Sequence, residues 1–138
     1  MKQRGIFITE FDRDRLEELI EVAEEFGGKN RKDLRDLQEE LDRASIVKPE
    51  EIPPNAVTMN SQVLLRDLDT SEEMTFKLVF PRNANIDTGA ISVLAPIGTA
   101  ILGYTEGSTV EWNVPSGKKR ILIEKILYQP EASGHFHL

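Results

Sequence analysis

Acidic side chains that could assist chemistry at a metal ion precede a short glycine turn near residue 27. Glu24 and Glu25 come before the glycines, and Lys29, Arg31 and Lys32 follow them. Two carboxylates at the tip of a rigid arm can help to coordinate Mg²⁺, which prefers oxygen ligands. Here the apex is glycine-rich and basic, so the charges are better explained as a helix-terminal pattern. The sequence therefore favours a noncatalytic tip.

Few other side chains could do chemistry. The chain contains no cysteine, which excludes a disulfide framework, a thiolate metal site and a cysteine nucleophile. The sequence lacks a P-loop, a dinucleotide fingerprint, an HExxH motif and a nucleophile elbow. His135 and His137 could share one face of an extended segment and bind a metal weakly, but a frayed polar end is the favoured interpretation. We expect no cofactor and no enzymatic activity.

Two patterns could contact nucleic acid, and composition argues against both. Residues 118–120 are three consecutive cations beside a turn, which is more typical of a solubilising surface. Trp112 alternates with Val110 and Val114, a spacing better explained by a strand core than by a base-stacking platform. The chain has 17 basic and 24 acidic residues, a formal net charge of −7. Affinity based on neutralising phosphates along a duplex is therefore disfavoured.

Charge and proline are unevenly distributed, which divides the chain into two parts. Residues 9–51 contain 15 acidic and 8 basic side chains, and proline is absent before Pro49. The remainder contains the other six prolines and most of the β-branched runs, a composition shift from helix to strand. We expect a helical hairpin over residues 1–48, a linker over 49–56 and a mainly β domain over 57–138.

Apolar spacing predicts two helices in the first part. Thr9 can cap a helix of about 16 residues, 10–25, whose leucines and isoleucine recur at three and four. Leu34, Leu37 and Leu41 form the corresponding stripe of a second helix, so the pair reads as a short antiparallel coiled coil. A hairpin of this size is marginal alone in water, so we expect it to pack against the second domain or a partner.

The second part predicts an antiparallel sheet packed against one short helix. Alternating or β-branched runs separated by turn residues predict strands at 57–65, 74–80, 91–94, 108–114 and 120–127. Pro96 can occupy the first turn of a helix that stops at Gly103. The fold class expected is α+β.

Targeting signals are not visible in the sequence. Lys2, Arg4 and Glu10 interrupt the first residues, which lack the apolar stretch of an export signal. No uncharged apolar run approaches the roughly 18 residues that span a bilayer. These patterns predict a soluble cytoplasmic protein without a membrane partner.

Several segments follow one another in the order of a known family. They are the strand at 91–93, the segment 96–103, the Glu106-Gly107 step and the turn at 115–117. On these, residues 91–126 resemble the C-terminal domain of the bacterial Gre-type transcript cleavage factors. With residues 49–51, 57–61 and 128–132, the wider chain is similar to the regulators of nucleoside diphosphate kinase, a short-armed branch of the GreA/GreB superfamily.

The resemblance implies a fold and a partner. The fold is an N-terminal coiled coil with a C-terminal FKBP-like domain, and the partner is RNA polymerase, at the rim of its secondary channel. In Gre factors the strand-to-helix loop that carries Asp-Ser-Pro contributes to this docking. The matching positions here are Leu94, Ala95 and Pro96, followed by Ile97 and Gly98. We expect an apolar polymerase contact at this loop.

Arm length separates this chain from the factors that stimulate cleavage. That activity depends on two acids at the tip of a long arm, whereas a 16-residue helix rises only about 24 Å and Gre arms have roughly twice as many residues per helix. The resemblance therefore implies a noncatalytic regulator that binds RNA polymerase, competes with Gre factors and approaches nucleic acid only indirectly, through the polymerase complex.

Three alternatives stay open. The protein could stimulate cleavage as Gre factors do, or it could control nucleoside diphosphate kinase levels, directly or through transcription. Peptidyl-prolyl isomerase activity is the weakest alternative, because it rests on fold resemblance alone.

Overall fold

The computed structural model describes residues 6–25, 31–114, 117–135 and 138. The regular elements follow in the order β1 (Phe7–Thr9), α1 (Glu10–Glu25), α2 (Arg31–Arg43), β2 (Ser45–Val47), β3 (Gln62–Asp67), β4 (Glu73–Val79), β5 (Ala90–Ser92), α3 (Pro96–Ile101), β6 (Thr109–Val114) and β7 (Gly117–Tyr128). Short 3-10 turns occupy Pro49–Glu51, Pro81–Asn83 and Ile86–Thr88. The two longer helices lie in the N-terminal part of the chain and the main β-sheet in the C-terminal part, which confirms the α+β fold class.

The two N-terminal helices are stabilised by a capping hydrogen bond at the start of α1 and by the burial of an apolar face of α2. The backbone N–H of Asp12 donates to Thr9 Oγ1 at 3.0 Å, which confirms Thr9 as the cap of α1. In α2, the side chains of Leu34, Leu37 and Leu41 are buried, as their spacing predicts.

The base of this hairpin is tied down by a small parallel sheet. Strand β1 pairs with β2, with Phe7 opposite Ser45. The Phe7 N–H also donates to the Gly103 carbonyl at 2.9 Å. Gly103 has a φ of +84°, and a Cβ there would lie 3.2 Å from the Ile6 Cβ, so the position favours glycine. These two strands were not predicted from the sequence.

The main sheet has five strands in the order β5-β4-β3-β7-β6. Strand β3 is antiparallel to both β4 and β7, and β6 is antiparallel to β7. Strand β5 differs from the expectation because it runs parallel to β4. Residues 80–89, which contain two 3-10 turns, return the chain from the end of β4 towards the end of the sheet where β4 begins. Two consecutive strands can be parallel only if such a crossover connection joins them.

The first predicted strand of this sheet starts later than expected. Residues 57–61 form a turn, and β3 begins at Gln62. The turn has a local cause: the Thr58 N–H donates to Ser61 Oγ at 2.9 Å, and Asn60 adopts a left-handed φ of 69°. Asn tolerates this conformation better than most residues.

One continuous core joins the hairpin to the sheet. Its buried members come from both parts of the chain and include Leu16, Ile20, Leu37, Val63, Leu65, Ile101, Ile121 and Ile123. The hairpin therefore packs on the sheet and on α3, as expected for a helical pair too short to be stable alone. The domain limits 1–48, 49–56 and 57–138 stay a prediction.

Within the residues described above, no helix is both long enough and apolar enough to cross a bilayer.

Candidate partner-binding site

The loop between β5 and α3 carries the residues matched to the docking loop of the Gre factors. Ser92 closes it twice: its Oγ accepts from the Leu94 N–H, and its carbonyl accepts from the Ala95 N–H, each at 3.0 Å. Pro96 then starts α3, where its missing N–H leaves no bond unmade and its fixed φ suits the helix. These bonds hold a tight turn at the surface.

Two buried residues of α3 hold the loop against the sheet. A Cβ at Gly98 would lie 2.3 Å from the Ser92 carbonyl oxygen, so only glycine allows this approach. The Thr99 hydroxyl, also buried, donates to the Val93 carbonyl at 2.6 Å. The turn is therefore a preformed surface, which reduces the entropy lost when a partner binds.

The five predicted contact residues differ in how far their side chains are exposed to solvent. Pro96 is exposed, and Leu94 and Ala95 are half-buried. Ile97 and Gly98 are buried, so they can support the loop but offer little area to a partner. The surface available for contact consists of Leu94, Ala95 and Pro96, and partner binding at these positions stays a prediction.

This surface opens into a groove between α2 and α3 with a cavity of about 420 Å³. Leu94, Pro96 and Ala100 supply its apolar floor. The walls carry mainly acidic side chains, from Asp33, Asp36, Glu39 and Glu40 of α2 and from Glu111 of β6, together with Lys32. We call this feature the acidic groove.

Ion pairs neutralise only part of the acidic groove. Lys32 Nζ lies 2.9 Å from Asp36 Oδ2, Arg43 pairs with Glu40 at 2.7 Å, and Lys118 pairs with Glu111 at 3.6 Å. Within the described ranges, Asp33 and Glu39 have no such partner. The groove is therefore net negative and favours a partner segment that carries Lys or Arg. Sequence analysis missed these acids, although the spacing of Asp33, Asp36 and Glu40 places them on one helix face.

The predicted hairpin tip is only partly described. Glu24 and Glu25 are exposed at the end of α1, and Lys32 is exposed near the start of α2. Arg31 opens α2, with a side chain outside the described part, and Lys29 lies outside it altogether. The described residues contain no cluster of three or more His, Asp or Glu side chains suited to a metal.

Asp12 links α1 to the 57–61 turn and is almost completely buried, with 1% of its surface exposed. Its Oδ2 accepts from the Met59 N–H at 3.0 Å, and its Oδ1 accepts from Arg15 at 2.5 Å. Burial raises the pKa of Asp12 from 3.8 to about 6, against the opposing hydrogen bonds from Met59 and Arg15. This carboxyl therefore titrates close to neutrality.

His135 is held in place, in contrast to the frayed segment expected from the sequence. His135 Nδ1 lies 2.6 Å from the Tyr128 hydroxyl, and the two rings are 5.9 Å apart. The His135 N–H donates to the Pro130 carbonyl at 2.7 Å. His135 is thus held by a turn and an aromatic contact, while His137 lies outside the described residues.

Two known protein families match most of this chain. Residues 50–128 match the family described as "Transcription elongation factor, GreA/GreB, C-term", and residues 4–47 match "Rnk N-terminus". The chain belongs to the GreA/GreB family. The acidic groove and the loop at Leu94 therefore lie within the part of the chain that defines a GreA/GreB C-terminal domain or pack against it.

Relatives of known name agree with this assignment. The regulator of nucleoside diphosphate kinase from Escherichia coli K12 is 37% identical over 139 residues, covering 100% of both chains. Transcription elongation factor GreA from Sulfurovum sp. NBC37-1 is 35% identical and covers 96% of this chain and 85% of its own. A solved GreA/GreB structure from Nitrosomonas europaea is 39% identical, with a TM-score of 0.73 over 91% of this chain and 100% of its own. The resemblance inferred from the sequence is confirmed.

Proposed function

We propose that this GreA/GreB family member binds RNA polymerase at the rim of the secondary channel, competes there with Gre factors and does not stimulate transcript cleavage. The observation that carries the proposal is the turn of Leu94, Ala95 and Pro96. By sequence resemblance it corresponds to the Gre docking loop, and it lies at the surface on a glycine-dependent support, with Pro96 exposed and Leu94 and Ala95 half-buried.

The contact at this turn is apolar and flanked by negative charge. Leu94 and Pro96 form part of the floor of the acidic groove, and Asp33 and Glu39 stand in its wall without an ion pair among the described residues. Apolar area contributes affinity, while the charges select orientation and speed association. The polymerase segment that fits has an apolar side chain beside Lys or Arg.

The short arm supports the noncatalytic part of the proposal. Helix α1 has 16 residues and α2 has 13, which correspond to about 24 Å and about 20 Å of rise. An arm of this length ends well before a point reached by helices roughly twice as long. Glu24 and Glu25 would therefore remain distant from the polymerase catalytic metal.

Docking is tested by Pro96→Asp. An acid is tolerated at the first position of a helix, so α3 should form, but the charge removes apolar contact beside an already negative groove. We expect polymerase affinity to fall by about tenfold or more, measured by sedimentation with core polymerase. The exposed Pro54→Asp is the matched control and should bind normally. Unchanged affinity in a folded Pro96→Asp protein would remove the loop from the interface.

The noncatalytic claim is tested in a backtracked transcription complex. The protein should reduce the cleavage stimulated by a Gre factor and should stimulate none itself. A Glu24→Ala and Glu25→Ala double variant should compete equally well, since these exposed acids are assigned no contact. Cleavage stimulated by the protein and lost in the double variant would show that the arm is catalytic.

A second candidate function is control of nucleoside diphosphate kinase, favoured by the name of the relative that matches the full length at 37% identity. Control through transcription requires polymerase binding, whereas direct control requires a complex with the kinase. Gel filtration of the two purified proteins separates these routes. A stable complex would support direct control, and independent elution would favour the indirect route.

A further inference from the structure

A second cavity, of about 570 Å³, lies at the β5 edge of the main sheet. Strand β4, the Pro81–Asn83 turn and the N-terminal half of α1 surround it. It shares no lining residue with the acidic groove. Its size is within the range of about 300–1,000 Å³ that is typical of small-molecule sites.

The charge of this cavity is opposite to that of the chain. Its described lining includes Arg15, Lys77 and Arg82 and contains no Asp or Glu, although acids outnumber bases 24 to 17 in the sequence. Arg15 is compensated by Asp12, to which it is hydrogen-bonded. Lys77 and Arg82 have no ion pair among the residues that the structure describes, so two positive charges face the cavity uncompensated. We call this feature the cationic pocket.

Backbone pairing fixes where these cations stand. Lys77 lies opposite Ala90 in the parallel pair of β4 and β5, and its N–H donates to the Gly89 carbonyl at 2.8 Å. Lys77 and Val79 point to the same face of β4, because side chains alternate along a strand. Arg82 belongs to the Pro81–Asn83 turn that follows this strand. The two cations therefore approach the cavity from adjacent parts of one rigid edge.

Arg15 forms the wall between the cationic pocket and an adjoining apolar groove. Its guanidinium lies 3.9 Å from the Phe11 ring centroid and 4.8 Å from that of Phe80, and it donates to the Leu138 main-chain oxygen at 2.8 Å. The adjoining groove, of about 450 Å³, shares Arg15, Phe80 and Arg82 with the pocket. The cationic pocket and the adjoining apolar groove thus share these three side chains.

The apolar compartment adds a surface for a less polar group. Leu19, Val22, Phe80 and Pro81 line it, and the Val22 side chain is 45% exposed. One acid, Glu18, stands at its border. A ligand that spans both compartments would need an anionic end and a planar or aliphatic end.

We propose that the cationic pocket binds a small organic phosphate, with its phosphate oxygens at Lys77 and Arg82 and its less polar end against Phe80 and Pro81. Arg presents a planar fork of donors that matches phosphate, and Lys adds a point charge. Two uncompensated cations suit a diphosphate better than a singly charged anion. The pocket shares no lining residue with the acidic groove, so this binding can be tested separately from the polymerase contact.

Calorimetric titration of the full chain tests the site. The probes are pyrophosphate, adenosine diphosphate and adenosine, at constant ionic strength. We expect adenosine diphosphate to bind more tightly than pyrophosphate, and adenosine alone to bind least. The Lys77→Gln and Arg82→Gln double variant should weaken diphosphate binding by about tenfold or more, since each side chain supplies charge-assisted hydrogen bonds.

A second double variant controls for net charge. Lys48→Gln with Lys125→Gln also removes two exposed cations but lies outside the pocket, and it should bind adenosine diphosphate within about twofold of wild type. Far-UV circular dichroism verifies that both double variants fold. Equal weakening in the two, or no saturable binding of either phosphate probe, would overturn the proposal. Tighter binding of a single-stranded oligonucleotide than of the diphosphate would overturn the small-ligand assignment.

Discussion

Asp12 is the residue whose environment departs most from what its sequence position predicts. It follows the Thr9 cap by three residues, a position typical of an exposed acid that interacts with the helix dipole. Its burial depends instead on the Met59 N–H, which lies 47 residues further along the chain. Local spacing predicts the cap and cannot predict this contact, because the turn at 57–61 brings the partner from a distant segment.

The raised pKa of Asp12 predicts a pH dependence of stability. Between about pH 4 and pH 6 the folded protein holds a proton that the unfolded chain has released, so the free energy of unfolding falls as pH rises through this window. Relative to Asp12→Asn, wild type should lose on the order of 3 kcal/mol between pH 4 and pH 7. Urea unfolding at a series of pH values measures the difference. Identical pH profiles in the two proteins would contradict the shift.

Gly98 is a position where even one added methyl group should destabilise the fold. In Gly98→Ala the added methyl meets the Ser92 carbonyl oxygen at 2.3 Å, so α3 or β5 must move. We expect a loss of about 2 kcal/mol or more in the free energy of unfolding. Gly107→Ala is the control: no atom lies within 4 Å of the added methyl, and only the φ of +89° opposes it, at about 1 kcal/mol. Equal losses in the two variants would show that the close approach at Gly98 is unimportant.

Among the regular elements, the helices were predictable from the sequence, whereas strands β1 and β2 were not. The spacing of Leu34, Leu37 and Leu41 predicts one buried face, and that face is buried in α2. Strands β1 and β2 have three residues each, too few for alternation to show. The parallel pairing of β5 also has no local signal, because it depends on the path of the ten residues before it.

The shared core predicts that the hairpin and the sheet unfold together. Leu37 is fully buried in a cluster that includes residues of β3 and β7. Leu37→Ala should lower the free energy of unfolding by about 2–5 kcal/mol. Helix content followed by circular dichroism and fluorescence of Trp112, the single tryptophan, which lies on β6, should report one midpoint. Separate midpoints would show that the hairpin is an independent unit.

Acidic and basic side chains are concentrated on two different surfaces of the molecule. The acidic groove lies between α2 and α3, and the cationic pocket lies at the β4–β5 edge. The sequence shows the acidic excess of residues 9–51. The net charge of the chain gives no sign of the cationic pocket, because its cations come from three separate segments: α1, β4 and a 3-10 turn. The loop at Leu94, Ala95 and Pro96 could be proposed as a contact only by family resemblance, and the acidic side chains beside it could be found only in the folded chain.

Electrostatic selection by the acidic groove predicts a salt-dependent polymerase interaction. Asp33→Asn with Glu39→Gln should reduce affinity severalfold at low ionic strength and flatten its decline with added salt, because screening acts on charges that the variant lacks. Asp87→Asn with Glu72→Gln removes two exposed acids outside the groove and should keep the wild-type salt profile. A steep decline retained in the groove variant would place the charged contact elsewhere.

The pairing of β1 with β2, together with the Phe7 bond to Gly103, has a mechanical consequence. The strands at the two ends of the hairpin pair with each other, and β1 is also bonded to Gly103, two residues after α3, so the base of the hairpin is held against the rest of the fold at two points. A binding partner would therefore meet the hairpin and the loop at Leu94 in one fixed relative orientation. Lengthening the arm by whole helical turns would extend its reach along a fixed line without redirecting it.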